Sequence, residues 1–283
     1  MTTAAIHDLS AQLRAELTAS VQDTTQYPIR NSNLKQMTRS PAHAKHSILS
    51  EWEQTLSQRL GKGAHSLLLG GPSVLCCPTK QRRGKDYDAW VAKQQSDAIV
   101  LTSKEYDRAH RINEAVRANK LACQVLFVPG TVYEETIMWE QLGRSRRCTP
   151  DARTRDHLVD LKTTRDASPD RFRWDVAKYG YDLQAGDYAL AIETTTGLKP
   201  RRCYIVAVET KPPYLCTVHL FTDGTIQRAQ QKCRSLLEQL IECERTNTWA
   251  GYSSEILDLD IPDSNMELIF DDSEGDDDSS DSD

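Results

Sequence analysis

Between Leu158 and Arg245 the apolar residues change their period three times. Leu158-Val-Asp-Leu-Lys162 alternates like a strand, and from Ser168-Pro169 to about Ile192 the spacing becomes helical. Residues 204–208 and 215–220 read as strands again, and residues 225–245 as a long helix. Ser168 as N-cap, with Pro169 at the first helical position, marks where the middle helix starts. Strands followed by a helix and more strands imply an α/β or α+β core.

Upstream the signals are weaker. Ile6, Leu9, Leu13 and Leu17 recur at helical spacing within a polar stretch over residues 1–30. Ser32 is placed to cap a short helix through Leu34 and Met37, limited by Pro41. Further helices are predicted over residues 48–60, from Gly63 through His65 and Leu67-Leu-Leu69, and over residues 103–121 with Ser103 as cap. Residues 72–100 read as loop-rich, with a basic loop at Gln81-Arg-Arg-Gly-Lys85. Residues 125–128 and 135–139 read as short strands. The division that follows is an N-terminal extension over 1–30, one domain over 31–265 and a disordered acidic tail over 266–283. Trp139, Trp174 and Trp249 are expected in the core.

With 283 residues, 39% of them hydrophobic, the chain can bury one sizeable core. It has no apolar run long enough to span a bilayer and no basic-then-apolar start, so a cytoplasmic protein without membrane partners is expected. Its eight cysteines include no C-x-x-C pair, which disfavours a zinc ribbon or an iron–sulfur cluster and suggests reduced, mostly buried thiols. The net charge of −6 hides an asymmetry: residues 271–283 carry eight acids and no Lys or Arg, which leaves the remainder at +2. Arg144, Arg146, Arg147, Arg153, Arg155 and Lys162 fall within nineteen residues. Such a cluster can follow a phosphate backbone or simply guard a strand edge, and charge alone leaves both readings open.

The chemistry concentrates in Asp151-Ala-Arg-Thr-Arg-Asp-His-Leu-Val-Asp160-Leu-Lys162. On a strand, Asp160 and Lys162 point to one face, about 6–7 Å apart at Cα, while Val159 and Leu161 point to the other. If the two segments form a hairpin, Asp151 returns beside Asp160. Two adjacent carboxylates repel unless a cation lies between them, and Mg²⁺ or Mn²⁺ suits oxygen ligands. A bound ion lowers the pKa of a water, and a lysine beside it can orient that water or stabilise developing charge. These are the parts of phosphodiester hydrolysis.

Asp151…Asp160-x-Lys162 resembles the PD-(D/E)XK nuclease core, a central mixed β-sheet flanked by helices. The continuation through Ala177-Lys-Tyr-Gly-Tyr-Asp-Leu-Gln184-Ala-Gly-Asp-Tyr188 resembles the RecE (exonuclease VIII) family of phage and prophage exonucleases. So do the Asn31–His43 stretch Asn-Ser-Asn-Leu-Lys-Gln-Met-Thr-Arg-Ser-Pro-Ala-His, the segment Gly63-Ala-His65-Ser-Leu-Leu-Leu and the closing Trp249-Ala-Gly-Tyr252. The resemblance spans about Asn31 to Pro262. It implies Asp151 and Asp160 as metal ligands, Lys162 as catalytic lysine, the Leu161 carbonyl and His65 as further ligands, and Glu134 as an acidic ligand with Glu135 an adjacent rival. Gln184 and Tyr188 match a Q-x-x-x-Y motif; four residues apart on one helix face, they contact DNA, support the site or form only a packing face. The family usually approaches its first aspartate through an Arg-Pro-Asp-like sequence, whereas Cys148-Thr-Pro-Asp151 stands here. That departure bears on substrate preference more than on the metal site.

By the same resemblance, the protein is a Mg²⁺-dependent exodeoxyribonuclease, with Mn²⁺ as a possible substitute. It degrades linear double-stranded DNA from 5′ ends, leaves 3′ single strands for recombination, forms a homo-oligomeric ring and works with a single-strand annealing protein. The alternative is a catalytically inactive or differently directed DNA-binding relative, of the CRISPR-adaptation or repair-complex kind.

Overall fold

The computed structural model describes residues 23–50, 55–95 and 97–259. The predicted helix at Ile6–Leu17 and the acidic tail lie outside the described residues. The chain divides into a unit over residues 1–251 and a second over residues 252–283, whose described part holds neither helix nor strand. No helix among the described residues is long and apolar enough to cross a membrane.

The first unit is α/β. Its main sheet has five strands, in the spatial order β3 (Val132–Tyr133), β6 (Ala152–Arg153), β7 (His157–Thr164), β8 (Arg202–Glu209) and β9 (Cys216–Leu220). The β7–β8 pair is parallel and the others antiparallel, so the sheet is mixed. Parallel pairing needs a crossover, which α7 (Pro169–Tyr179) and α8 (Tyr181–Thr196) supply. Two small two-stranded sheets stand apart: parallel β1 (Val74–Cys76) with β2 (Ile99–Leu101), and the hairpin of β4 (Ile137–Gln141) and β5 (Arg144–Cys148).

The period-2 rule sorts β7 and β8 between two cores. Val159, Leu161, Val206 and Val208 pack with α3 (Leu56–Leu69), α5 (Ser103–Ala118) and α6 (Lys120–Leu126). Leu158 and Cys203 face α8 and the hairpin on the other side, and Ile205 and Ala207 meet Phe172 of α7. Because β8 is covered on both faces, it reads as a continuous apolar run, Ile-Val-Ala-Val. A third cluster joins α1 (Asn31–Gln36) and α2 (Pro41–Leu49) to the long α9 (Asp223–Thr246). Gly186 lets α8 and α9 approach closely, since a Cβ there would lie 2.7 Å from the Ala229 Cβ.

Several predicted elements shift. Residues 125–128 are not a strand: Asn119 caps α6, and Ala122, Val125 and Leu126 are buried at helical spacing. The helix predicted over residues 48–60 divides, since α2 ends at the Ser50 cap and α3 starts at Thr55, whose side chain closes a capping box with Gln58. Pro41 opens α2 behind its Ser40 cap rather than merely ending α1, which Arg30 precedes. Thr102, not Ser103, caps α5. The helical stretch read from Ser168 to about Ile192 is interrupted at Gly180, whose φ of 62° is left-handed; a Cβ there would also meet the Lys35 side chain at 2.9 Å. Residues 72–100 hold β1, β2 and α4 (Lys85–Val91) as well as loops. The eight cysteines are free thiols, four buried, three half-buried and Cys76 exposed.

The basic cluster also divides. Arg144 and Arg146 lie on β5 and are buried, Arg144 against Glu244 and Arg146 against Asp187, so neither is available to a phosphate. Arg153 pairs with Glu135, while Arg155 is exposed.

Candidate active site

β6 and β7 form the hairpin that brings Asp151 back beside Asp160: Ala152 pairs with Val159. Asp151 lies just before β6, and its Oδ2 accepts a 2.6 Å hydrogen bond from the Leu161 N–H. Asp160 and Lys162 share one face of β7 and form an ion pair, Nζ 2.7 Å from Oδ2. α3 delivers His65, whose Nε2 lies 2.8 Å from the Leu161 carbonyl oxygen. Its Nδ1 faces two carboxylates, 3.6 Å from Glu134 Oε1 and 3.7 Å from Asp151 Oδ1.

Glu134 reaches this point from a residue with a φ of 50°, and its N–H is bonded to the Asp151 carbonyl at 3.2 Å. That left-handed turn separates the adjacent acids: Glu134 turns to His65 while Glu135 pairs with Arg153. From α8, Gln184 Nε2 donates to Asp160 Oδ1 at 3.1 Å and lies 3.1 Å from the Tyr188 hydroxyl. Tyr188 is mostly shielded, and burial pushes its hydroxyl pKa up.

The electrostatics follow from carboxylates gathered in a sheltered place. Burial raises the Asp160 pKa; Lys162 pulls it down and Asp151 pushes it up, which leaves it at about 6. Burial alone would lower the His65 pKa, but Asp151 and Glu134 outweigh it and lift it to about 9. Burial would likewise lower the Lys162 pKa, and Asp160 with Asp151 reverses this, so the ammonium form is favoured.

Ligand atoms of His65, Glu134 and Asp151 all lie within 4.8 Å of one another. Two carboxylates around one imidazole suit a divalent cation, and His65 is the group nearest to neutralising them. The donor set therefore fits a metal ion.

A family model described as "PDDEXK-like domain of unknown function (DUF3799)" matches residues 31–259. The chain belongs to this PDDEXK-like family. Its fold is similar to that of a candidate exonuclease from Eubacterium rectale, with a TM-score of 0.60 and 14% identity over 86% of this chain and 93% of that one. A phage-related exonuclease from Haemophilus somnus 129PT (TM-score 0.33, 14% identity, 76% and 95% covered) and the alkaline exonuclease of Laribacter hongkongensis (0.29, 14%, 66% and 95%) superpose too loosely to bear on the fold. No curated protein matches the chain. The PD-(D/E)XK resemblance read from the sequence is thus borne out at the level of family and fold.

Within this PDDEXK-like domain, the residues expected to ligate metal or act in catalysis come to one place, apart from Glu135. His65, Glu134 and Asp151 cluster, whereas Asp160 is turned to Lys162 and Gln184, and the Leu161 carbonyl faces His65. Two neighbours escaped the sequence reading. The Tyr181 ring lies under Lys162, 4.8 Å from Nζ to centroid, and Lys35 donates to the Tyr179 carbonyl at 2.7 Å. Both stand in motifs already quoted, but their roles depend on the Gly180 break. A cavity of about 290 Å³ opens beside Gln184 and Tyr188, lined also by Arg30, Lys35, Arg147 and Thr149.

Proposed function

We propose that this protein is a metal-dependent exodeoxyribonuclease. The observation that carries the reading is the convergence of His65, Glu134 and Asp151 on one point beside the Asp160–Lys162 pair. His65, Glu134 and Asp151 would hold the ion, with Asp160 and the Leu161 carbonyl adjoining it; Mg²⁺ is the intended ion and Mn²⁺ a substitute. When bound, such an ion lowers the pKa of a water and offsets charge on a phosphate oxygen.

The chain's own residues do the rest. The Leu161 N–H fixes the Asp151 carboxylate, and Gln184 fixes Asp160. Lys162, held protonated by Asp160, is placed to stabilise the charge that develops on the attacked phosphate or to orient the attacking water. Tyr188 braces Gln184. Arg30, Lys35 and Arg147 make the adjoining cavity basic, which suits a nucleic-acid backbone.

The finer reading follows the family resemblance: linear duplex DNA, degraded 5′ to 3′ in a bacterial or phage-infected cytoplasm, by a homo-oligomeric ring that hands 3′ single strands to an annealing protein. Linear duplexes labelled separately at the 5′ and 3′ ends test it. Early release of the 5′ label with Mg²⁺ is expected, abolished by EDTA and reduced about 10²- to 10³-fold by Asp160→Ala or Lys162→Ala. Early release of the 3′ label would keep the nuclease and reverse its polarity. Intact DNA with folded, metal-loaded protein would leave a binding protein instead.

A further inference from the structure

α7 leaves β7 a few residues after Lys162 and carries two aromatic side chains that the core does not use. Trp174 is 63% exposed and Tyr179 45% exposed, against the expectation that Trp174 belongs to the core. Arg171, Trp174 and Lys178 stand at i, i+3 and i+7 and are all exposed, so they form one basic–aromatic–basic stripe. The Arg173 guanidinium lies 5.7 Å from the Trp174 ring centroid, and the Lys178 Nζ lies 5.5 Å from that of Tyr179.

The stripe runs into the active site. The Tyr179 and Tyr181 rings are 5.7 Å apart and tilted by 31°, and Tyr181 lies under the Lys162 ammonium. A chain of aromatic rings and cations thus leads from Lys162 through Tyr181, Tyr179 and Lys178 to Trp174. Of the acids of this segment, Asp166 caps the Ser168 N–H and Asp175 accepts from Thr164, while Asp170 lies 3.5 Å from Arg173 and offsets its charge, leaving Arg171 and Lys178 as the cations of the stripe.

We infer that α7 is a single-strand track, on which unpaired nucleobases stack against Tyr179 and Trp174 while Arg171 and Lys178 follow the phosphates. Rings favour the flat faces of bases and duplex DNA hides those faces, so the ligand is single-stranded DNA rather than intact duplex. Five residues of helix place the two rings about 7.5 Å apart along the axis and about 140° apart around it, with Lys178 between them, so a strand that meets both crosses the helix obliquely. The inference rests on the nuclease reading for what the track serves, and on the exposed rings for its existence.

Fluorescence anisotropy with labelled oligonucleotides in EDTA separates the two. The full chain is compared with Trp174→Ala, Tyr179→Ala, Trp174→Phe, Tyr179→Phe and Arg171→Ala/Lys178→Ala on single strands, tailed duplexes and blunt duplexes. Each aromatic-to-Ala change should weaken single-strand and tailed-duplex binding about 5- to 150-fold. The Phe variants should stay near native, and blunt-duplex binding should not change. The aromatic variants should keep the native salt dependence, whereas the double cation variant should show a shallower one. Native-like single-strand binding by both Ala variants, equal losses on blunt duplex, or no single-strand binding by the native chain would overturn the track. Hydrolysis by the native protein, measured separately with Mg²⁺, decides the nuclease reading whatever the binding result.

Discussion

His65 offers Nε2 to the Leu161 carbonyl and Nδ1 to Asp151 and Glu134, so acceptors face both ring nitrogens. This is the surrounding in which an imidazole keeps two protons, and its pKa stands at about 9. To ligate through Nδ1 the ring must release one. Below pH 9, metal uptake should therefore expel a proton, and apparent Mn²⁺ affinity should climb about tenfold per pH unit from about pH 6.5 to 8.5. Electron paramagnetic resonance titration of free Mn²⁺ reads this directly, and a flat profile would remove His65 from the ligand set. Without metal, the same shift acts on stability. The folded pKa lies above the unfolded one, so the His65 contribution is complete below about pH 6.5 and is lost as pH rises through 9. At this scale much of the site was legible in the sequence. Asp160 and Lys162 share a strand face by parity alone, and the hairpin returning Asp151 needs only a short connection. The choice between Glu134 and Glu135 was not legible, because it depends on a single left-handed residue.

Among the elements, α8 and β5 are joined by a contact that the local sequence does not announce. Arg146 Nη2 lies 2.8 Å from both oxygens of Asp187, the two side chains are 0% and 1% exposed, and 41 residues separate them in sequence. A run of arginines reads as surface charge unless the distant acid is known, which is why the cluster around Arg144 read either as a phosphate track or as a guarded strand edge. Burial raises the Asp187 pKa while Arg146 opposes it, so each group depends on the other. Asp187→Ala should strand a buried guanidinium and cost about 3–5 kcal/mol, whereas joint replacement by Arg146→Met and Asp187→Leu should restore most of that loss. Urea-unfolding midpoints measure both, and a single-variant loss below about 1 kcal/mol would show that Gln141, which also accepts from Arg146, suffices. Element boundaries were misread for a similar reason. Residues 125–128 have strand-like composition, yet the Asn119 cap and burial against α5 and β7 make 120–126 a helix.

At the scale of the whole molecule, net charge and local charge have opposite signs. The chain carries −6, but residues 271–283 hold eight acids and no cation, so the remainder carries +2. The cavity beside the site and the stripe on α7 add Arg30, Lys35, Arg147, Arg171 and Lys178 where DNA would pass. A polyanion approaching from a distance responds to the total field, while one already bound responds to the nearest groups. The acidic segment should therefore slow encounter with DNA without altering the site. Deleting residues 271–283 should raise the association rate with duplex DNA roughly tenfold at low ionic strength. The gain should vanish near 0.5 M salt, where the screening length falls to about 4 Å. Thermal stability and hydrolysis at saturating DNA should match the full chain. Stopped-flow binding at several salt concentrations distinguishes this from a segment that recruits a partner: equal association rates for both chains at low salt would rule out a long-range electrostatic role and leave partner binding as the reason to test the segment.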